Sequence, residues 1–254
     1  MTSGSQLEGT VAPPARRQLV GNRWALAGAI MYLLEWVAIA GWLGALFGIP
    51  NNGVQGTTPA EIFKQYTQPG TAAAIALAAG WYGLVLPGRI LLIAGIRQAL
   101  RKSWGDSALA DLAVGAMALS VAIEVATYAV AAGVGQAATS GGDQSAVVTG
   151  NAISNLLASS IFSPLGLSVL AVSAVMLQSR LFWRWLCLLG IVAGLALCVE
   201  GVLGAAGSQS GAQLYPGFLN PFGVFGFWVW MLVTGVILFR AAGKPRQRSS
   251  AAGN

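Results

Sequence analysis

Six long apolar runs, separated by short polar or glycine-rich stretches, set the pattern of this chain: 24–48, 71–98, 108–137, 151–178, 183–206 and 218–240. Each is long enough to cross roughly 30 Å of hydrocarbon as a helix. Runs beyond about 20 residues imply tilt, or ends that emerge from the lipid. Pro87 and Pro164 fall inside the second and fourth runs. Neighbouring helices can satisfy the carbonyls that a proline frees, so a kink is expected at each, not a helix end. The pattern predicts an all-α polytopic membrane protein: one bundle of six transmembrane helices over 23–241, a disordered polar tail over 1–22 and a basic tail over 242–254. The first run is too long for a signal-peptide core and lacks a small-residue cleavage pattern at a suitable distance, so it reads as a retained span.

The connection 49–70 carries an element of its own. Thr58-Pro59-Ala60-Glu61 supplies an N-cap residue, proline at the first helical position and glutamate at the third. Ile62, Phe63 and Tyr66 then share one face. A short helix over about 59–67 is expected at the outer surface, with that face against the bundle or the lipid interface.

Composition agrees with this reading. The chain has 254 residues, is 56% hydrophobic and only 9% charged, with mean hydropathy +0.68. A soluble domain carries about 25% charged residues, so lipid must cover much of this surface. Of the 14 Lys and Arg residues, all but Lys64 and the intraspan Arg89 flank the connections on one side. Arg16, Arg17 and Arg23 precede span 1. Arg97, Arg101 and Lys102 follow span 2. Arg180 and Arg184 separate spans 4 and 5, and Arg240, Lys244, Arg246 and Arg248 follow span 6. The positive-inside rule therefore puts both termini in the cytoplasm. The net charge of +6 is explained by topology and anionic lipid, without nucleic acid. The preference for Arg, Ala and Gly suggests a GC-rich bacterial gene, hence the bacterial plasma membrane.

Within the spans a few polar residues stand out. Span 1 has Tyr32 and Glu35 on one face; span 2 has Tyr82 and Arg89; span 3 has Ser120, Glu124, Thr127 and Tyr128. Span 5 has Glu200 among small residues, and span 4 has Asn151, Asn155, Ser159 and Ser163 in a ridge at i+4 spacing. At 1.5 Å per residue, Arg89 lies about 12 Å from its cytoplasmic boundary, Glu35 about 17 Å, and Glu124 and Glu200 about 22 Å each. A column from Arg89 through Glu35 to Glu124, Glu200, Asn155 and Ser159 is expected if these faces converge. A charge at the membrane centre costs about 2.5–3.5 kcal/mol even on insertion scales. Arg89 is expected within side-chain reach of an intramembrane carboxylate, Glu35 as the nearest in depth or another. Glu124 and Glu200 would then be protonated, share a proton or bind a cation. The competing reading is that such residues are packing glue, with interhelical hydrogen bonds averaging about 0.6 kcal/mol. Small residues at Gly44/Gly48, Gly190/Gly194 and Ala76/Gly80 mark expected packing faces. Trp24, Trp104 and Trp183 fit a cytoplasmic aromatic belt.

Other chemistry is poorly supported. With no histidine, bis-His haem, His-containing zinc sites and Ser-His catalysis are excluded. There is no phosphate-binding loop, and the Asp residues at 106, 111 and 143 lie at or beyond span ends. No metal, cofactor or catalytic residue is expected. Cys187 and Cys198 lie on one span, roughly 16 Å apart along its axis, and cannot pair with each other.

The stretches GNRWALAGAIMYLL, TPAEIFKQY and RILLIAGIRQALRKS resemble the start of an uncharacterised group of bacterial six-span membrane proteins. The resemblance covers spans 1–2 and the overall plan. It implies a six-helix plasma-membrane fold and no activity. The leading expectation from the residues is translocation of a small solute, cation or proton through Glu35, Arg89, Glu124 and Glu200, with Tyr32, Tyr128, Asn155 and Ser159 around them. The alternative is a non-transporting regulatory or assembly subunit, partnered by a second copy or another membrane protein.

Overall fold

The computed structural model describes residues 18–37, 58–210 and 221–243, leaving aside the side chains of 36–37, 207–210 and 221. All regular structure among these residues is helical. The helices are α1 (Arg23–Val37), α2 (Pro59–Tyr66), α3 (Thr71–Val85), α4 (Pro87–Ser103), α5 (Ala108–Thr139), α6 (Gln144–Ser160), α7 (Phe162–Ser179), α8 (Arg184–Ser210) and α9 (Gly226–Ala242). A π-helical turn, Pro221–Phe225, leads directly into α9. Five rods are long and apolar enough to cross a membrane: Thr71–Ser103, Ala108–Thr139, Gln144–Ser179, Arg184–Ala206 and Phe222–Ala242. The first expected span is described only through α1. Its remainder, with Gly44 and Gly48, lies outside the described residues, as do 1–17 and 244–254.

Both prolines interrupt the helical hydrogen-bond pattern without ending the rod. Leu86, between α3 and α4, keeps right-handed helical angles (φ −58°, ψ −34°). Ile161, between α6 and α7, does the same (φ −62°, ψ −39°). Proline cannot donate to the carbonyl four residues back, so the break falls there. The fourth rod begins earlier than the apolar run implies. The Asp143 carboxylate accepts from the Ala146 amide at 2.8 Å and starts α6 at Gln144. This leaves only 140–143 as the turn after α5, where a connection of 138–150 was expected.

The rods form a closed ring in which chain neighbours pack antiparallel. On the α5–α6/α7 seam, Ser154 Oγ donates to the Thr127 carbonyl, Ser120 Oγ to that of Ile161 and Ser168 Oγ to that of Ala113, at 3.2, 3.1 and 2.6 Å. α7 and α8 cross where a Cβ on Gly166 would lie 2.5 Å from the Gly194 carbonyl oxygen. α1 and α4 meet in the same way, a Cβ on Gly28 lying 2.4 Å from the Gly88 carbonyl oxygen. The start of α1 closes the ring on α9, with the Asn22 amide donating to the Leu238 carbonyl at 3.1 Å. The Gly190/Gly194 expectation holds. Ala76 and Gly80 are exposed instead, with nothing near a Cβ built at Gly80. Gly28 and Gly88 do the packing on that side of the bundle.

This pairing gathers the start of α1, the α4–α5 and α7–α8 turns and the end of α9 at one end. Arg23, Arg97, Arg101, Lys102, Arg180, Arg184 and Arg240 all lie there. Ion pairs Arg97–Asp111 and Arg101–Asp106 bridge the α4–α5 turn. Trp24 and Trp183 are exposed at this end, Trp183 stacked on Trp185. Residues 18–22, expected to belong to the disordered tail, are tied down. The Val20 amide donates to Ser103 Oγ at 2.7 Å, and the Asn22 side chain donates to Gly95 and Gln98 while capping α1 through Trp24 N.

At the other end sits α2, entered by the expected capping box. Thr58 N donates to Glu61 Oε2 at 2.9 Å, and Glu61 N to Thr58 Oγ1 at 3.4 Å. Its Ile62 and Tyr66 are buried with Ile75, Val134 and Val147. The outer faces of the rods are apolar, with Ile30, Leu77, Leu84, Leu119, Val192 and Val202 exposed. That surface suits hydrocarbon and not water.

Candidate functional site

The four ionisable side chains inside the rods all face protein. Relative exposures are 3% for Glu35, 1% for Arg89, 7% for Glu124 and 2% for Glu200. Helices that are apolar all round give no period to aim such a residue, so its direction is set by packing. Arg89 follows the Pro87 break by two residues, on the face where Gly88 brings α4 close to α1. Glu124 lies on the buried stripe of α5 with Ser120, Thr127 and Tyr128.

Arg89 Nη2 forms a buried ion pair with Glu124 Oε2. The expected partner was Glu35, chosen from depth along separate helices. The α3/α4–α5 seam overrides that estimate, because it brings α4 and α5 together at the level of 89 and 124. Glu35 is nevertheless part of the cluster, its carboxyl beside that of Glu124 and within range of the Arg89 charge. Oε2 of Glu35 is buried and accepts no hydrogen bond among the described residues, and Nε of Arg89 donates none. Three tyrosines wall the group. The Arg89 guanidinium carbon lies 5.0 Å from the centre of the Tyr32 ring. The Tyr82 and Tyr128 rings stack with centroids 3.8 Å apart. Two carboxyls and one guanidinium in one apolar pocket leave a unit of negative charge that a proton or a bound cation must balance.

Glu200 has a different setting. It stands on α8 against the π-helical turn, where a Cβ on Gly223 would be 3.1 Å from its Oε2. α5 and α8 share scant direct packing, and α7 packs on both. The carboxyl found beside Glu124 is that of Glu35. The π geometry widens the backbone at the point the carboxyl meets, a feature often found at functional positions.

The span 4 ridge divides. Asn151 Oδ1 accepts from Tyr66 Oη at 2.9 Å and so anchors α2. Burial pushes the Tyr66 hydroxyl up to about 12. Asn155 is half-buried, with its Oδ1 unbonded among the described residues. Ser159 donates to its own helix at the Asn155 carbonyl, 3.1 Å away. The buried stripe is instead Val147, Asn151, Ser154 and Ala158. Ser154, Ser168 and Tyr82 were not among the expected site residues. A mixed i+3/i+4 count in place of strict i+4 would have found Ser154. The two cysteines are free, as spacing required. Among the described residues no cluster of His, Cys, Asp and Glu has the form of a metal site.

Compared with known proteins, the chain matches no family model, no curated protein and no solved structure.

Proposed function

We propose that this chain is a bacterial plasma-membrane protein of six spans, both termini cytoplasmic and α2 on the outer face, that moves a proton or small cation through the Glu35–Arg89–Glu124 site. The observation that carries the reading is the charge count of the cluster: two buried carboxyls beside one buried guanidinium. A protein needing only rigidity can use Ser or Gln at less cost than a carboxylate near mid-membrane. Arg89 is paired directly with Glu124. Glu35, whose Oε2 accepts no hydrogen bond among the described residues, is the member free to take up and release a positive charge. Tyr32, Tyr82 and Tyr128 exclude lipid and offer hydroxyls near the carboxyls. Glu200 at the π turn is a second station for the same cation.

The apolar outer faces support the membrane setting, and the gathering of seven basic residues at one end supports the orientation. The serine-to-carbonyl bonds of the α5–α6/α7 seam favour the other reading, a rigid assembly subunit. Proteoliposomes separate the two. Under an imposed pH gradient or a sodium or potassium gradient, the wild type should dissipate the gradient faster than empty vesicles, and Glu35→Gln should return to the empty-vesicle rate. Folded wild-type protein that dissipates none of these gradients refutes the transport reading.

A further inference from the structure

Trp81 and Tyr82 are neighbours on α3 and turn to different partners. The Tyr82 ring stacks on Tyr128 of α5, centroids 3.8 Å apart, one turn from Glu124. The Trp81 indole Nε1 donates to the Leu34 carbonyl of α1 at 3.2 Å, at the peptide that joins Leu34 to Glu35. α3 is therefore a strut between the two helices that bear the clustered carboxyls. The close contacts of α1 lie between Asn22 and Tyr32. The Asn22 amide bonds Leu238 of α9, Gly28 and Tyr32 meet Gly88 of α4, and a Cβ on Gly95 of α4 would lie 2.9 Å from the Ala25 Cβ. α1 packs mainly on α4 and α9 and only lightly on α3. Glu35 comes after this tightly held part and is nevertheless buried. Trp81 stands about 15 Å along its helix from Thr71, too deep for an interfacial ring. An indole N–H only donates, and hydrocarbon holds no water to replace the carbonyl, so the bond is retained.

We infer that Trp81 is a positioning residue for Glu35: its bond to the Leu34 carbonyl, braced by the Tyr82–Tyr128 stack, fixes the Glu35 carboxyl against Glu124 and Arg89. The inference rests on the proposed function, because it gives Trp81 a part in the same site. Among the described residues, the charged and titratable groups around Glu35 are Arg89 of α4, Glu124 and Tyr128 of α5, Tyr82 of α3 and Tyr32 of α1 itself. From α9 comes Phe227, its ring 5.9 Å from that of Tyr32. Trp81 carries no charge, so its bond acts on the proton affinity of Glu35 through the position of α1. At an effective dielectric of about 20, taking two charges from about 4 to about 5 Å apart changes that affinity by roughly half a pH unit.

Infrared difference spectroscopy of the reconstituted full chain, titrated with acid, follows the protonated Glu35 carboxyl. Trp81→Phe should move its midpoint by about half a pH unit or more, a threefold or larger change in proton affinity, with a melting temperature close to the wild type. Benzothienylalanine at position 81 keeps the ring shape and lacks the N–H, so it separates the bond from the packing and should move the midpoint in the same direction. Trp185→Phe, at the basic end, should leave the midpoint unchanged. A folded protein with either change at position 81 that titrates as the wild type overturns the inference and leaves the proposed function standing. So does an equal shift in Trp185→Phe. A wild type without a titrating buried carboxyl refutes the proposed function and this inference with it.

Discussion

Replacing Arg89 by Met, which keeps much of the side-chain volume, leaves Glu124 as an unpaired carboxylate inside the bundle. Both partners are almost fully buried, so this is the regime in which removing one member of a pair costs about 3–5 kcal/mol. At about 2–4 °C per kcal/mol for a chain of this size, the melting temperature in detergent should fall by roughly 6–20 °C. Adding Glu124→Gln removes the stranded charge, and Arg89→Met/Glu124→Gln should recover most of the loss. Glu35→Gln in place of Glu124→Gln should recover less, because the ion pair is with Glu124. Thermal unfolding followed by tryptophan fluorescence measures all of this. If the losses in the double variant simply add, Arg89 and Glu124 are not energetically coupled and the argument fails.

Four further outcomes are expected. Gly166→Val should prevent folding or lower the melting temperature severely, because its Cβ would meet the α8 backbone at 2.5 Å; Gly80→Ala, in open space, should be neutral or stabilising by up to about 1 kcal/mol. Ser168→Ala, losing a 2.6 Å bond to the Ala113 carbonyl, should cost about 0.6 kcal/mol in detergent unfolding. The Tyr66 hydroxyl, pushed up to about 12 by burial, is protonated in the folded state while unfolded tyrosine ionises near 10, so α2 should stay seated below about pH 10 and loosen between about 10 and 12; proteolysis within 58–70 reads this, and Tyr66→Phe should abolish the dependence. Reporter fusions after residues 55, 143 and 211 should score external and those after 103, 181 and 246 cytoplasmic, and one reversed loop would break the six-span reading.

What could be read without coordinates was whatever depends on one helix at a time. Five of the six apolar runs, the helical passage through Pro87 and Pro164, and the Thr58–Glu61 capping box are local, and they appear as expected; the second half of the first run lies outside the described residues. The direction in which each helix turns its side chains was much less legible. In lipid the outside of a helix is as apolar as the inside, so Ala76 and Gly80 look like a packing face while Gly28 and Gly88 form one. Arg89 has the intramembrane carboxylate partner expected of it, but Glu124 in place of Glu35, for a related reason. Depth counted along separate rods ignores how α3/α4 and α5 slide against each other, and that register brings Glu124 to the guanidinium. The start of α6 was missed because 144–150 is too polar to look like a span, although Asp143 was there to cap it.

The central claim is that Glu35 carries the exchangeable charge while Arg89 fixes Glu124. Infrared difference spectroscopy of the reconstituted protein, taken between low and high pH and with and without sodium, observes the carboxyl groups directly. The account predicts a protonated-carboxyl band that disappears on raising the pH or adding the cation, that is absent from Glu35→Gln, and that persists in Glu61→Gln, whose carboxylate caps the exposed α2. A band unchanged by Glu35→Gln, or no titrating buried carboxyl at all in the folded wild type, would contradict it.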